Sequence, residues 1–260
     1  MTRANRVFLP GHVWHITHRC HRQQFLLKFA RDRRRWRYWL FEARKRFGLC
    51  VLDYIATSNH IHLLVKDRGE GEIRRSMQLI AGRTGQDYNR RKGRRGAYWE
   101  DRYHATAVDS GRYLAQCLVY IDLNMVRAGV VGHPGEWEIS GYREIQVQPQ
   151  RYRIIDMQAL GELLELPGTN ALRDYHRGCV EEALESERLR RDARWSESLA
   201  VGSAEFVNGY REGLGVRARH RETVELPDGY ALREPAYSYD RTSGPEMAAL
   251  RHENGADWVD

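Results

Sequence analysis

The sequence lacks the features that mark membrane, secreted and disulfide-rich proteins. Its 260 residues contain no apolar run as long as a bilayer span, and they do not begin with the basic and apolar segments of a secretory signal. Only 4 cysteines are present, and they lie far apart with no CxxC pair. We therefore expect a cytoplasmic protein with reduced thiols and no membrane partner.

Lysine is also scarce, since only 4 of the 42 basic residues are lysine. Arginine forms a fork that binds phosphate well, although a GC-rich genome would produce the same bias. Residues 1–150 contain 27 Lys and Arg against 14 Asp and Glu, whereas residues 151–260 contain 15 against 21. The basic part predicts a polyanionic partner, most often nucleic acid. We place a domain boundary at this change, with one domain at 1–150 and a C-terminal extension at 151–260.

The apolar pattern of residues 1–150 predicts the order β-α-β-β-α-β followed by a further helix. The predicted strands cover residues 13–17, 50–57, 60–66 and 97–108, and the predicted helices cover residues 30–47, 72–90 and 110–129. This order is typical of an α+β, ferredoxin-like fold, in which an antiparallel sheet carries helices on one face. In that fold the first and third strands are central neighbours.

The extension is predicted to be partly helical. A charged stretch at residues 173–194 and a shorter one at residues 203–214 have helical character. From Pro227 onward Pro, Gly, Tyr and Ser dominate, so we expect little regular structure there.

The first motif that indicates chemistry is the predicted strand Asn-His-Ile-His-Leu-Leu-Val at residues 59–65. Residues two apart on a strand face the same side, so His60 and His62 project together, about 6–7 Å apart along the backbone. Two imidazoles at this spacing can hold one metal ion. The alternative is a half-buried strand whose histidines are only hydrogen-bonded.

The first predicted strand contains further histidines. His15 could face the same sheet surface as the His60 and His62 pair and support it. A zinc cluster is an alternative for His15, His18, Cys20 and His21, although their crowding on one strand and its turn hinders tetrahedral closure.

The second motif is Tyr-Ile-Asp-Leu-Asn at residues 120–124, predicted on a helix. Residues four apart on a helix share a face, so Tyr120 and Asn124 point the same way. An amide oxygen beside a tyrosine hydroxyl could complete a metal site next to a nucleophile. The alternatives are an ordinary amphipathic tyrosine and a polar residue at a helix end, with Tyr103 and Tyr113 as other candidate nucleophiles. Together the two motifs predict a metal-dependent enzyme that attacks phosphodiesters through tyrosine.

These segments resemble a known family. The motifs at 59–65 and 120–129, with Val-Trp-His-Ile-Thr-His-Arg at 13–19, are similar to the single-tyrosine HUH transposases. They look most like the REP-associated tyrosine transposases, relatives of the insertion-sequence transposases that move single-stranded DNA. The resemblance covers residues 8–147.

The resemblance implies roles for individual residues. It implies that His60 and His62 are a metal-binding pair for Mg²⁺ or Mn²⁺, that Asn124 is the third ligand and that Tyr120 is the nucleophile. It implies single-stranded DNA partners with imperfect hairpins and a short tetranucleotide on the 5′ side, as in repetitive extragenic palindromes (REP). The expected protein is a bacterial, nucleoid-associated endonuclease and strand transferase, acting as a monomer or as a dimer.

Two departures from the family pattern bear on DNA preference, since Ser58 and Met125 stand where the family usually has proline. Two other functions remain open. One is another HUH nuclease, such as a replication initiator or relaxase, and the other is a domesticated REP-hairpin binder with little cleavage.

Basic residues outside the two motifs are expected to contact DNA. A cationic run beside Tyr88, Tyr98 and Trp99 suits phosphates and unstacked bases, and the start of the first helix is also basic, although such a run is often only a solvated surface. The predicted DNA-contacting residues are Arg19, Arg33, Arg34, Arg90, Arg91, Lys92, Arg94 and Arg95.

Two hypotheses cover the acidic extension. It could fold over the basic groove and restrain access, or it could grip the hairpin through arginines. The candidate gripping residues are Arg188, Arg190, Arg191 and Arg194.

Overall fold

The computed structural model describes residues 8–147, 149–186 and 191–234. The strands are β1 (Val13–Arg19), β2 (Cys50–Ala56), β3 (His60–Lys66), β4 (His104–Val108), β5 (Ala200–Gly202), β6 (Glu222–Leu226) and β7 (Gly229–Arg233). The α-helices are α1 (Ala30–Phe47), α2 (Glu72–Lys92), α3 (Arg112–Asp122), α4 (Asn124–Arg127), α5 (Gly141–Gln146), α6 (Met157–Leu163), α7 (Gly168–Glu185), α8 (Arg194–Glu197) and α9 (Ala204–Leu214). Within these described ranges, no helix combines the length and the apolar character needed to cross a membrane.

The strands form one sheet in the order β2-β3-β1-β4-β5-β7-β6. The first four pair antiparallel with β3 and β1 as central neighbours, and with α1 and α2 they follow the predicted β-α-β-β-α-β order. The prediction of an α+β, ferredoxin-like fold is confirmed. The extension enlarges the sheet, because β5 pairs parallel with β4 and is followed by the antiparallel strands β7 and β6. This pairing covers the edge of β4, whose backbone groups would otherwise face solvent.

Helices cover both faces of the sheet, whereas the sequence analysis placed them on one face. Tyr54 pairs with Leu63 across β2 and β3, and Trp36 of α1 packs against Tyr54 with ring centroids 6.1 Å apart. The other face carries His62, and Tyr120 of α3 lies there with its ring centroid 5.8 Å from that imidazole. Since both faces are covered, β2 and β3 can be almost continuously buried.

Two predicted elements of the first 150 residues are shorter in the structure. Of the predicted strand 97–108 only β4 forms, because Tyr98 is buried and Trp99 donates its indole N–H to the carbonyl oxygen of Ala81 at 3.0 Å, which draws this segment toward α2. The predicted helix 110–129 is interrupted at Leu123, where ψ is 5°, and continues as the single turn α4.

The extension also departs from prediction. The helix expected at 173–194 begins earlier and ends earlier, as α7, and residues 187–190 lie outside the described residues. The expectation of little regular structure after Pro227 is wrong for the first residues, because Pro227 and Asp228 form the turn of a β6–β7 hairpin. The sequence Pro-Asp-Gly at this turn is a recognised hairpin signal. Residues 235–260 lie outside the described residues.

A buried polar contact joins the extension to α3. His176 of α7 donates its Nε2–H to Asp122 Oδ2 at 2.7 Å, and the Gln146 amide donates to His176 Nδ1 at 3.0 Å. Burial raises the pKa of Asp122 well above its usual value and lowers the pKa of His176 to about 4. The extension therefore shares buried structure with the first 150 residues, and the domain boundary at residue 150 stays a prediction.

Candidate active site

A cavity of about 300 Å³ opens where β1, β3, α3 and α4 meet. We call it the candidate cavity. It brings together all four residues that the sequence predicted to carry the chemistry, together with basic residues from three parts of the chain. Its walls are formed by Thr17, Arg19, Gln23, Asn59, His60, His62, Tyr120, Asn124, Arg127, Ala128, Arg191 and Ser196.

The orientation of His62 is fixed by a chain of hydrogen bonds. The Nδ1 atom of His15 lies 2.8 Å from the carbonyl oxygen of Trp195, so it carries the proton and donates. Burial lowers the pKa of His15 to about 3, so the ring is neutral and its Nε2 atom is an acceptor. That atom lies 2.9 Å from His62 Nδ1, which must therefore be the donor. The lone pair of His62 is left on Nε2.

His60 is held in the same tautomer by different partners. Its Nδ1 atom lies 2.7 Å from Asn59 Oδ1 and 3.0 Å from Thr57 Oγ1. The Thr57 hydroxyl donates to the carbonyl oxygen of His60, so it accepts from the ring. Burial lowers the pKa of His60 to about 4. Both imidazoles are thus neutral and keep Nε2 free of a proton, the form that binds a metal ion.

Asn124 completes the set of donors. Its amide nitrogen lies 2.9 Å from His62 Nε2, and a half-turn of the amide would place the oxygen there instead. Two imidazole nitrogens and one amide oxygen fit a divalent cation and leave further coordination positions open. His60, His62 and Asn124 are therefore the residues that could hold a metal.

Tyr120 lies at the wall of the cavity under a cationic side chain. The guanidinium carbon of Arg127 is 4.3 Å from the centre of the Tyr120 ring, and Arg127 also donates to the Tyr120 carbonyl oxygen at 2.5 Å. Burial raises the pKa of Tyr120, while the charges of Arg127 and Arg191 act in the opposite direction. The tyrosine is thus protonated at rest, with positive charge next to any oxyanion it would form.

Part of the sequence matches a known protein family. Residues 10–124 match the family described as "Transposase IS200 like". This segment, fewer than half of the 260 residues, is similar to the IS200-like transposase family. We call residues 10–124 the transposase-like segment; it contains β1 to β4, α1 to α3 and every predicted metal ligand and nucleophile.

Solved structures with similar chains have low sequence identity. A REP-associated tyrosine transposase bound to a REP hairpin is 17% identical, with a TM-score of 0.48 over 61% of this chain and 96% of that chain. A putative transposase from Deinococcus radiodurans R1 is 15% identical, with a TM-score of 0.34 over 46% of this chain and 95% of that chain. No curated protein sequence matches this chain.

Several predicted DNA-contacting residues of the transposase-like segment have partners within the protein. Arg33 donates to the carbonyl oxygens of Leu27 and Lys28. Arg34 forms a two-pronged ion pair with Glu138 at 2.7 and 2.9 Å. Arg19, by contrast, lines the candidate cavity, where it could meet a phosphate.

The basic residues at 90–95 also fall into two groups, those with partners inside the protein and those exposed to solvent. Arg91 forms an ion pair with Asp32, and Arg94 donates to Asn89 Oδ1 and to the carbonyl oxygen of Ala97. The exposed members are Arg90, Lys92 and Arg95. The predicted DNA contact of this run therefore depends on those three side chains.

Two alternative sites predicted from the sequence, the zinc cluster and the Tyr113 nucleophile, do not form at the candidate cavity. His18 points to the opposite sheet face from His15 and stacks on Trp99 at 4.1 Å, so the four candidate zinc ligands do not converge. Tyr113 packs against Gly229 and is not part of the cavity wall. Among the described residues, no group of three or more His, Cys, Asp or Glu side chains could hold a metal ion.

Sequence reasoning missed two residues that shape the site. Arg127 lies inside the quoted 120–129 segment, and its spacing of seven from Tyr120 placed it on the same side of a helix, so a signal was present. Trp195 carries no such signal. It is buried beside Tyr120, with ring centroids 6.2 Å apart, but belongs to the extension far along the chain.

Acid should destabilise the fold through these histidines. In the unfolded chain a histidine is protonated below about pH 6.5, whereas His15 and His60 stay neutral until about pH 3 and 4. The unfolded state therefore binds more protons, and stability falls as the pH decreases from 6.5. Between pH 6.5 and 5 we expect a loss of roughly 2 kcal/mol per buried histidine.

Urea unfolding followed by circular dichroism between pH 8 and 5 measures this loss. A His12→Gln variant is the control, because His12 is a partly exposed histidine outside the cavity, and it should retain the full pH dependence. A free energy of unfolding that stays constant down to pH 5 would contradict the prediction.

Proposed function

We propose that this protein is a single-stranded DNA endonuclease and strand transferase that cuts hairpin-bearing repeats through a 5′-phosphotyrosine intermediate. The observation that supports it is that His60, His62, Tyr120 and Asn124, all in the transposase-like segment, line one cavity. Neither a histidine-lined strand nor a buried tyrosine alone would require this chemistry. Their convergence beside unprotonated imidazole nitrogens favours it over a purely structural cluster.

The proposed step replaces one ester bond by another. The Tyr120 hydroxyl oxygen attacks the scissile phosphorus, a tyrosine–phosphorus bond forms and the bond from phosphorus to the 3′ oxygen breaks. The tyrosine gives up its proton and the departing 3′ oxygen takes one up, so a free 3′-OH is released. The 3′-OH of another strand can reverse the step, which transfers the strand without external energy.

The chain's own residues prepare this attack. Burial raises the pKa of the Tyr120 hydroxyl, so it is protonated and a weak nucleophile, and it needs neighbouring groups to activate it. Arg127, over the tyrosine ring, and Arg19, at the cavity wall, would attract and hold the anionic phosphate. Arg127 would also stabilise the tyrosinate as its proton leaves.

His60, His62 and Asn124 would hold a Mg²⁺ or Mn²⁺ ion. Such an ion, when bound, polarises a non-bridging phosphate oxygen and orients the phosphate. The three side chains are held for this task by Thr57, by Asn59 and by the hydrogen bond from His62 to His15.

The substrate and assembly are part of the proposal. The hairpin preference rests on the resemblance of segments 59–65 and 120–129 to REP-associated transposases. A monomer is the proposed acting unit, because Tyr120 reaches the histidines of its own chain. The protein would act at the bacterial nucleoid in the cytoplasm.

Changing Tyr120 to Phe should abolish a covalent protein–DNA adduct. The variant removes only the attacking oxygen, so DNA affinity should stay within about threefold, since no phosphate-binding cation is lost. The protein is incubated with Mn²⁺ and labelled single-stranded DNA from the repeats that flank its gene, and the covalent adduct is then detected on a denaturing gel. Tyr113→Phe, on the same helix but outside the cavity wall, is the matched control and should keep the adduct.

An adduct that persists in Tyr120→Phe would refute the nucleophile assignment. Tight binding of the hairpin by the unaltered protein with no adduct under Mg²⁺ or Mn²⁺ would favour the alternative of a hairpin-binding protein.

Metal binding has a readout independent of cleavage. Ligand that binds only the folded state raises its stability by about 2.7 kcal/mol at a hundred times its Kd. We therefore expect Mn²⁺ to raise the Tm of the unaltered protein and of Tyr120→Phe, which keeps all three ligands. The His60→Ala/Asn124→Ala variant should show no such rise, and an equal rise in that variant would place the metal elsewhere.

The extension contributes Arg191 to the cavity, and we propose that this residue grips DNA. Its side chain is 60% exposed and its ion pair with Glu197, at 3.2 Å, is on the surface, so it can be exchanged for a phosphate. Arg194 is instead held by Asp192 and Asp228. Arg188 and Arg190 lie outside the described residues.

Arg191→Gln should weaken DNA binding a few-fold and lower the salt dependence of log K by about 0.7, the contribution of one phosphate contact on a single strand. Fluorescence anisotropy at several salt concentrations measures both. Arg211→Gln, an exposed arginine outside the cavity, controls for the loss of net charge. Faster cleavage at unchanged affinity would support the opposing hypothesis that the extension restrains access.

A further inference from the structure

A second cavity of about 710 Å³ lies between α1 and the segment that contains α5, beyond the edge strand β2. We call it the arginine cleft. It shares no lining residue with the candidate cavity. The proposed chemistry does not use it.

One wall of the arginine cleft is a single face of α1. Arg34, Arg37, Tyr38 and Phe41 all line it, and their spacing of three and four residues places them in one stripe. The basic run at the start of α1 is thus divided, because its other members do not line the cleft; of these, Arg35 is paired with Asp87 and covers one face of the Tyr38 ring at 4.8 Å. The part that faces the cleft combines two guanidinium groups with two aromatic rings.

The arginine cleft carries excess positive charge. Arg37, Arg143 and Arg151 line it and have no ion-pair partner among the described residues. Its two carboxylates are already occupied. Glu138 is paired with Arg34, and Glu144 accepts from the Tyr54 hydroxyl and from two backbone N–H groups.

Aromatic rings are exposed at its rim. Tyr38 is 42% exposed and Tyr152 is 71% exposed, and both line the cleft. Tyr152 has a φ of 58°, a left-handed conformation that residues other than glycine rarely adopt. Its ring is presented edge-to-face beside Phe41, with centroids 5.2 Å apart. Unpaired cations next to exposed rings are the combination that binds a single nucleic-acid strand.

The arginine cleft is close to the candidate cavity across the sheet. Ser140 lines the cleft and forms a bridge with Ile55, which in turn pairs with His62. Two strand spacings separate Ser140 from His62, which is roughly 10 Å. The two cavities open on opposite faces of the sheet, and residues 139–140 pair with β2 between them, so one DNA strand would reach both by passing around that segment.

We infer that the arginine cleft binds the unpaired DNA strand that flanks the cleavage site, and the inference rests on the DNA substrate of the proposed function. Phosphates lie against Arg37 and Arg143, and bases stack on Tyr38 and Tyr152. A duplex stem fits less well, because its base faces are hidden. An acidic peptide would leave the exposed rings without matching partners.

The test uses the full chain and two DNA probes in fluorescence anisotropy. The first probe is oligo(dT) of about 16 nucleotides, within the site sizes of single-strand binding folds, and the second is a hairpin trimmed to its stem and loop. Arg37→Gln/Arg143→Gln should weaken oligo(dT) binding about tenfold and lower the salt slope by about 1.4 for two phosphates. Binding of the trimmed hairpin should be unchanged.

A second variant separates stacking from charge. Tyr38→Ser should weaken oligo(dT) binding about tenfold with no change in salt slope, because it removes a stacking surface and no charge. Arg217→Gln/Arg219→Gln is the matched charge control, since both arginines are exposed and line neither cavity. Circular dichroism verifies that each variant is folded.

Three results would overturn the inference. They are unchanged oligo(dT) binding in the cleft variants, an equal loss in the Arg217/Arg219 control, and an equal loss with the trimmed hairpin. The adduct at Tyr120 is a separate readout. If the adduct forms and the cleft variants bind oligo(dT) as tightly as the unaltered protein, only the inference about the cleft is refuted. If the cleft variants bind oligo(dT) more weakly and no adduct forms, only the proposed cleavage chemistry is refuted.

Discussion

The hydrogen bond from His62 to His15 is the contact that ties the candidate site to the fold. Two imidazoles can share this hydrogen bond only if one ring nitrogen donates and the other accepts, and burial lowers the pKa of both rings so that both are neutral. The carbonyl oxygen of Trp195 sets the tautomer of His15, and His15 sets that of His62. The antiparallel register of β1 and β3 places both rings on one face. The direction of the His62 Nε2 lone pair is therefore a consequence of sheet register and of the docking of the extension.

Because the tautomer of His15 depends on Trp195, the extension is structurally part of the candidate site and is not an independent unit. It covers the β4 edge, places α7 against α3 through His176 and Asp122, and supplies the backbone oxygen beside His15. A truncation near residue 150 would expose a strand edge and remove the partner of His15 together with Arg191. Point variants in the full chain therefore separate the roles of the extension more cleanly than deletion does.

Charge in this protein is divided between internal ion pairs and surfaces that can accept a ligand. Arg33, Arg34 and Arg91 are held by carbonyl groups or carboxylates of the chain itself. The cations that remain available cluster where the sheet presents cavities, as Arg19 does at the candidate cavity and Arg37 at the arginine cleft. The net charge of a segment thus indicates a polyanionic partner, while the geometry decides which arginines can meet it.

Local periodicity determined much of this protein. The alternation of a strand put His60 and His62 on one side, and the apolar stripes gave the β-α-β-β-α-β order. Only the tertiary structure decided that α3 packs on the sheet face that carries His62. An apolar stripe shows which side of a helix is buried, but it does not show which element that side packs against. The same holds for Trp195 and for the paired arginines, whose partners are distant in sequence and come together only when the sheet and its helices pack.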